Sequence, residues 1–259
     1  MVDVSRYPLK EWAVACLDIA DRAGQEIMKV YAQDSFGKSL KDDRTPVTEA
    51  DLAANRIIVD ALSELTPDIV IVSEEEAEKL EGHAVFWLVD PLDGTREFIK
   101  RNGEFTVNIA LVVDGVSVLG IVTAPAKSVA YVGGLGVVAR KRDENRSWSD
   151  IRVAENVSDG VIIAGSKSHG SDASNKWIQE RFPDARVVGI GSSLKFCLIA
   201  EAAAHFYPRF GRTMEWDTAA GHAVLTAAGG RVVLASNEDI DLPYSKAGFE
   251  NPNFIASYK

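Results

Sequence analysis

Cysteine is nearly absent: Cys16 and Cys197 stand far apart, each inside a helical pattern. Two isolated core thiols give no disulfide framework and suit a reducing compartment. Long apolar runs are missing too, and none approaches the roughly 20 residues of a membrane span. The opening Met1-Val2-Asp3-Val4-Ser5-Arg6 lacks the apolar stretch of a signal peptide. The expectation is a cytoplasmic chain with no integral membrane segment, peripheral association with the cytoplasmic membrane face being the alternative. Positive charge is in deficit, with 28 Lys and Arg against 38 Asp and Glu and a net charge of −10. Nonspecific grip on a nucleic-acid polymer needs a basic surface, so that class is excluded. An anionic small molecule is not, because bound divalent cations would invert the local field. His83, His205 and His222 show no metal-ligand spacing and no nucleophile motif occurs, so a zinc hydrolase or a Ser/Cys hydrolase finds no support. There is no internal repeat and no low-complexity segment. The remaining balance, 46% apolar and 25% charged over 259 residues, is that of one large globular domain or two intimate ones.

The most informative stretch is Trp87-Leu88-Val89-Asp90-Pro91-Leu92-Asp93-Gly94-Thr95-Arg96-Glu97-Phe98. Val85 to Val89 reads as a buried strand delivering a carboxylate. Pro91 forbids a straight continuation, Asp93-Gly94 turns the chain, and a short helix is predicted from Thr95 to near Gly103. Such a bend lets the Asp90 carboxylate, the Leu92 carbonyl and the Asp93 carboxylate converge. All are hard oxygen donors, which suit Mg²⁺ or Ca²⁺ rather than zinc. The amides of Gly94 and Thr95 suit a phosphate oxygen. Asp, Pro and Gly are also ordinary turn residues, and a plain Asp-Gly turn with Asp90 as a cap is the competing reading.

Elsewhere the pattern predicts a helix over 9–31, where Leu9, Trp12, Ala13, Cys16, Ala20, Ala23, Ile27, Val30 and Tyr31 share one face. A second helix runs from Pro46 to about Leu65; Thr48 and Asp51 match a capping box, and Asp51 is equally placed to help activate a water. Ile69 to Val72 reads as a buried strand leading into Ser73-Glu74-Glu75-Glu76, and two such strands can bring Glu74 and Asp90 to one sheet edge. From Phe105 to Ala139 strand runs and Gly turns alternate, with Asp114-Gly115 as a hairpin signal, hence an antiparallel meander. Arg140 to Asp150 is charged and turn-rich and reads as a solvated excursion, a basic substrate lid being the alternative. Beyond Asn156 strands and helices alternate in a smaller α/β unit. Two units are expected, 1–155 and 156–259, with the site in the crevice between them. Trp216-Asp217-Thr218 begins a helix, with Asp217 either an N-cap or a ligand. Gly191-Ser192-Ser193-Leu194-Lys195 begins another, where two hydroxyls and an ammonium either hold a phosphate or form a Ser cap with a solvated Lys.

The central stretch and its continuation Arg96-Glu97-Phe98-Ile99-Lys100-Arg101-Asn102-Gly103-Glu104-Phe105-Thr106-Val107-Asn108-Ile109-Ala110 resemble the signature of the lithium-sensitive, Mg²⁺-dependent phosphomonoesterases. These include inositol monophosphatases, fructose-1,6-bisphosphatases and 3'-phosphoadenosine nucleotidases. The detail is most similar to the bacterial 3'(2'),5'-bisphosphate nucleotidases of CysQ type. The resemblance implies an αβαβα sandwich of the α/β class, with an antiparallel sheet in the first half and a smaller mixed unit in the second. It implies two Mg²⁺ ions, or three, on Glu74, Asp90, the Leu92 carbonyl, Asp93 and Asp217, all of which except Asp90 also line the substrate site with Gly94 and Thr95. Asp51 and Thr95 become the water-activating pair. Four crowded carboxylates would repel by about 4 kcal/mol per pair at 4 Å and an effective dielectric near 20, so they need cations or raised pKa values to persist. In the nucleotidase branch Ser192 or Ser193, Lys195 and Arg209 would grip the substrate's other phosphate, and His169 would lie beside adenine. The implied reaction converts adenosine 3',5'-bisphosphate to AMP and phosphate, the sulfated analogue being a further substrate, with lithium as inhibitor. An inositol-phosphate or sugar-phosphate phosphatase of the same fold is the near rival, and a non-catalytic metal or nucleotide sensor the remote one. Arg212 belongs to none of these motifs, and no oligomeric state is read from the sequence.

Overall fold

The computed structural model describes residues 2–33, 38–40, 46–76, 82–158, 160–166 and 171–259. In chain order the first half comprises α1 (Leu9–Tyr31), β1 (Lys38–Leu40), β2 (Pro46–Thr48), α2 (Glu49–Leu65), β3 (Val70–Ser73), β4 (Val85–Asp93), α3 (Thr95–Ile99), β5 (Thr106–Val113), β6 (Val116–Ala124), β7 (Val129–Gly134), β8 (Val137–Arg142) and β9 (Trp148–Asp150). The second half comprises β10 (Ile162–Ser166), α4 (Asp172–Arg181), β11 (Arg186–Ile190), α5 (Leu194–Ala200), β12 (Phe206–Arg209), α6 (Ala219–Ala227), β13 (Arg231–Leu234), β14 (Asn237–Asp241) and β15 (Phe254–Ser257). Strands β3 to β9 lie in sequence order in one seven-stranded sheet, with β3–β4 parallel and the rest antiparallel. The other large sheet has six strands in the order β11-β10-β12-β15-β13-β14 and is mixed.

Side-chain alternation sorts the layers. On β4, Trp87 and Val89 enter a core with Cys16, Ile27, Ile58 and Leu62 of α1 and α2. Phe86 and Leu88 point the other way, into a core with Phe196 of α5, Val224 of α6, and Val232 and Phe254 of the six-stranded sheet. On that sheet Val233 and Ile255 turn outward to Trp177 and Ile178 of α4. The layers are therefore α1/α2, sheet, α5/α6, sheet, α4: the expected αβαβα sandwich. The inner helix α6 lies hard against the first sheet, because a Cβ on Gly120 would sit 2.1 Å from the Ala220 carbonyl oxygen. Only glycine allows that approach. Residues 151–161, where the sequence suggests a boundary, connect the two sheets, yet one core contains side chains from both.

Several elements differ from expectation. Strand β4 does not end at Asp90; it continues to Asp93 through a bulge, since Asp90 pairs with Asn108 and Asp93 with Thr106. Pro91, which has no N–H to donate, sits in the unpaired part of that bulge. Helix α3 stops at Ile99 rather than near Gly103, because Arg101 takes a left-handed φ of 55° and reverses the chain. Arg140–Asp150 is no excursion: it supplies the end of β8 and all of β9. Arg142 there is only 7% exposed, and both its terminal nitrogens donate to Asp21 of α1 at 2.6 Å. Cys16 and Cys197 are both buried and free. Among the described residues no helix is long and apolar enough to cross a membrane.

Candidate metal and phosphate site

Parallel pairing of β3 with β4 sets Ser73 against Val89, and the Glu74 amide donates to the Val89 carbonyl at 3.0 Å. The next residues, Glu74 and Asp90, therefore emerge together at one end of the sheet. The bulge turns Asp93 toward them. A three-residue 3₁₀ turn, Glu215–Asp217, brings the last acid from the second half, its Oδ2 accepting from the Met214 amide at 2.8 Å. Asp217 is thus not the N-cap of α6; that place belongs to Thr218. Asp90, Asp93 and Asp217 each present a carboxylate oxygen, all within 4.8 Å of one another.

Asp93 is the most tightly oriented of these. Its Oδ2 accepts from the Ser193 amide at 2.6 Å and the Ser193 hydroxyl at 2.9 Å, with Asn108 Nδ2 and Thr106 Oγ1 at 3.4 Å. Ser193 Oγ also lies 2.8 Å from the Asp217 carbonyl, so one residue touches acid-bearing segments of both halves. Asp90 Oδ1 accepts from the Leu92 amide at 3.0 Å and shapes the turn that presents the Leu92 carbonyl. The chain then passes through Gly94, whose φ of 93° a side chain would strain.

Asp51 serves two partners. Its Oδ2 accepts from the Thr48 amide at 2.8 Å and the Thr48 hydroxyl at 2.6 Å, the capping geometry of α2. Its Oδ1 lies 3.2 Å from Thr95 Oγ1, which is also 3.3 Å from the Leu92 carbonyl. One turn further along α2, Asn55 accepts from Ser73 Oγ at 2.6 Å and donates to Glu76 at 2.5 Å, steadying the segment that carries Glu74.

Glu74, Asp90, Leu92, Asp93, Gly94, Thr95 and Asp217 line a cavity of about 230 Å³. Ser192, Lys195, Arg209 and Arg212 line the same cavity. Lys195 is not a solvated lysine: it is 6% exposed, and its Nζ donates to the Ser192 carbonyl at 2.6 Å. Burial and then Arg209 push its pKa down to about 8 against the pull of Asp93. Ser192 takes a left-handed φ of 51° and its hydroxyl, like Arg209 Nε, is buried without a hydrogen-bond partner. Asp51 and Ser193 stand behind the lining. His169 lies outside the described residues. Sequence reasoning did not single out Asn55, Asn108 or the bonding of Ser193 to Asp93. The polar Thr106 and Asn108 at the start of an otherwise apolar strand were the local signal.

Enclosure dominates the electrostatics of the acids. It lifts Asp90 well above the usual carboxylate range, helped by Glu74, Asp93 and Asp217. Asp217 rises to about 8, from enclosure and then from Asp93 and Glu74. Asp93 is raised as well, despite Lys195 and Ser193. An all-oxygen set of mutually repelling carboxylates fits a hard divalent cation, which would replace the protons they otherwise hold. The sign of the pH dependence follows. Between an unfolded carboxylate pKa of about 4 and the folded value of Asp217 the native metal-free chain binds more protons than the unfolded one, so its stability falls as pH rises through that window. In chelator the melting temperature should drop from pH 5 to pH 8, and Mg²⁺ should restore more at pH 8 than at pH 5. Asp217→Asn should flatten the slope; a wild-type melting temperature independent of pH over this range would refute the assignment.

The sequence model of the inositol monophosphatase family matches residues 9–257. A protein from Escherichia coli K12 named 3'(2'),5'-bisphosphate nucleotidase CysQ is 44% identical over 243 residues, covering 92% of this chain and 96% of that one. Its namesake from Buchnera aphidicola is 43% identical over 244 residues, covering 92% and 91%. Among solved structures, CysQ from Bacteroides thetaiotaomicron superposes with a TM-score of 0.84 at 36% identity, covering 98% of this chain and 99% of that chain. The chain belongs to the inositol monophosphatase family.

Proposed function

We propose that this chain is a Mg²⁺-dependent 3'(2'),5'-bisphosphate nucleotidase of the cytoplasm that removes the 3'-phosphate of adenosine 3',5'-bisphosphate and also accepts the sulfated analogue. The observation that carries this reading is one cavity lined by two sets of groups, the acids and the cations Lys195 and Arg209. A simple phosphomonoester needs only the first. Residues 1–155 and 156–259 act as two units that share the crevice between them.

Glu74, Asp90, the Leu92 carbonyl, Asp93 and Asp217 would hold two Mg²⁺ ions, a third at Glu74 being a variant of the same scheme. When bound, these ions supply an acidified water and neutralise charge on the phosphoryl and leaving oxygens. The protein's own groups do the rest. Thr95 Oγ1 donates to Asp51, so it can accept a proton from the attacking water on a lone pair as its own proton passes to the Asp51 carboxylate. The water oxygen forms a bond to phosphorus as the bond to the 3'-oxygen breaks, and that oxygen takes up a proton from solvent as it leaves. The Gly94 and Thr95 amides hold the phosphoryl oxygens, while Lys195, Arg209 and Ser192 fix the other phosphate and so orient the substrate.

Phosphate release from adenosine 3',5'-bisphosphate and from inositol 1-phosphate, each with Mg²⁺ and with chelator, tests this. The expected result is Mg²⁺-dependent preference for the nucleotide. Preference for the inositol ester would keep the chemistry and discard the nucleotide pocket, and no turnover of either would leave a sensor. Lys195→Ala should raise KM for the bisphosphate about tenfold to a hundredfold, as loss of a charged hydrogen bond predicts. An equal rise for a simple monophosphate would remove Lys195 from that role.

A further inference from the structure

Lys195 and Arg209 leave two cations of the cavity without a role, Arg96 of α3 and Arg212. Arg212 follows β12 by three residues and lines the same space. Its carbonyl accepts from Arg209 Nη2 at 2.7 Å, so Arg212 and the Arg209 guanidinium are tied through one piece of backbone. Its own guanidinium reaches Glu250, Nε to Oε2 at 3.6 Å, with side chains 59% and 58% exposed. Glu250 is anchored from behind. It forms a β-bridge with Met214, and the adjacent Asn251 amide donates to the Thr213 carbonyl at 2.9 Å.

We infer that Arg212 is a specificity-determining residue, held at the exposed edge of the cavity by Glu250 and released to the substrate's non-reacting phosphate. The inference rests on the nucleotidase reading and adds to it a residue that its motifs do not contain. An ion pair this exposed is weak and screened by salt. A phosphate brings about twice the charge of a carboxylate and oxygens that match the guanidinium fork, so it wins Arg212 from Glu250. Glu250 is then a competitor that keeps Arg212 aligned while the cavity lacks substrate, at some cost in affinity for the bisphosphate that must displace it.

The test is KM and kcat for adenosine 3',5'-bisphosphate and for 3'-AMP, which carries the same reacting group without the second phosphate. Arg212→Ala should raise KM for the bisphosphate about three- to tenfold relative to 3'-AMP, with kcat nearly constant. Glu250→Gln should move the bisphosphate KM the other way, about twofold, and most at low salt. A KM ratio unchanged from wild type in both variants would overturn the inference and leave the nucleotidase reading intact. A wild-type enzyme that does not prefer the bisphosphate over 3'-AMP would instead strike the underlying reading.

Discussion

Asp93→Asn should lower turnover about a thousandfold or more, about 4 kcal/mol of transition-state stabilisation, while the protein stays folded. Asparagine keeps the shape and one oxygen, which can still accept from the Ser193 amide and hydroxyl that hold Asp93 now. Its second terminal atom becomes an amide nitrogen, which donates where the cluster needs a ligand. Removing the charge also relieves repulsion on Asp90, whose pKa Asp93 helps to raise. In chelator the variant should therefore melt no lower than wild type, so a dead enzyme cannot be ascribed to an unfolded one. Mg²⁺ titration by calorimetry should show weakened or missing binding. Near-wild-type turnover in the folded variant would sink the two-cation scheme.

Thr95→Ala should cost about a hundredfold to a thousandfold in kcat, the range for a positioned proton acceptor. Thr95→Ser should recover most of it, because the hydroxyl that reaches Asp51 is kept. Asp51→Asn should cost a similar factor and some stability besides, about 1 kcal/mol, because Asp51 also caps α2 through Thr48. If the two residues act as one relay, the double variant should be no slower than the worse single one. Multiplicative losses would show two separate contributions and break the relay.

What could be read in advance was what depends on neighbours in sequence. The alternation Phe86-Trp87-Leu88-Val89 marked a strand with two buried faces, and the spacing in 9–31 marked a helix with one. Asp90, Asp93 and Thr95 stood out because their geometry is set within a single turn. What escaped depends on partners distant in sequence. The charge of Arg142 argued for solvent until Asp21, far back on α1, proved to be its counter-ion. Pro91 argued for an ended strand, yet β5 continues to pair on both sides of it once a bulge absorbs the residue without an N–H. Ser193 reads as a substrate contact in its motif, whereas its amide and hydroxyl face Asp93 across the crevice. Arg212 has no local signature; only the fold sets it beside Glu250.

The Ser193 clasp also bears on how the chain acquires its activity. Glu74, Asp90 and Asp93 belong to adjoining strands that can pair early, but Asp217 reaches them only after both sheets have closed on α5 and α6. Contacts of such sequence separation form late in folding, after the entropy of closing long loops has been met. A half-folded or truncated chain therefore gathers some of the acids but not the complete cluster. A cation bound by the full set of acids would favour chains with both halves docked, because it binds the native arrangement and not the open one.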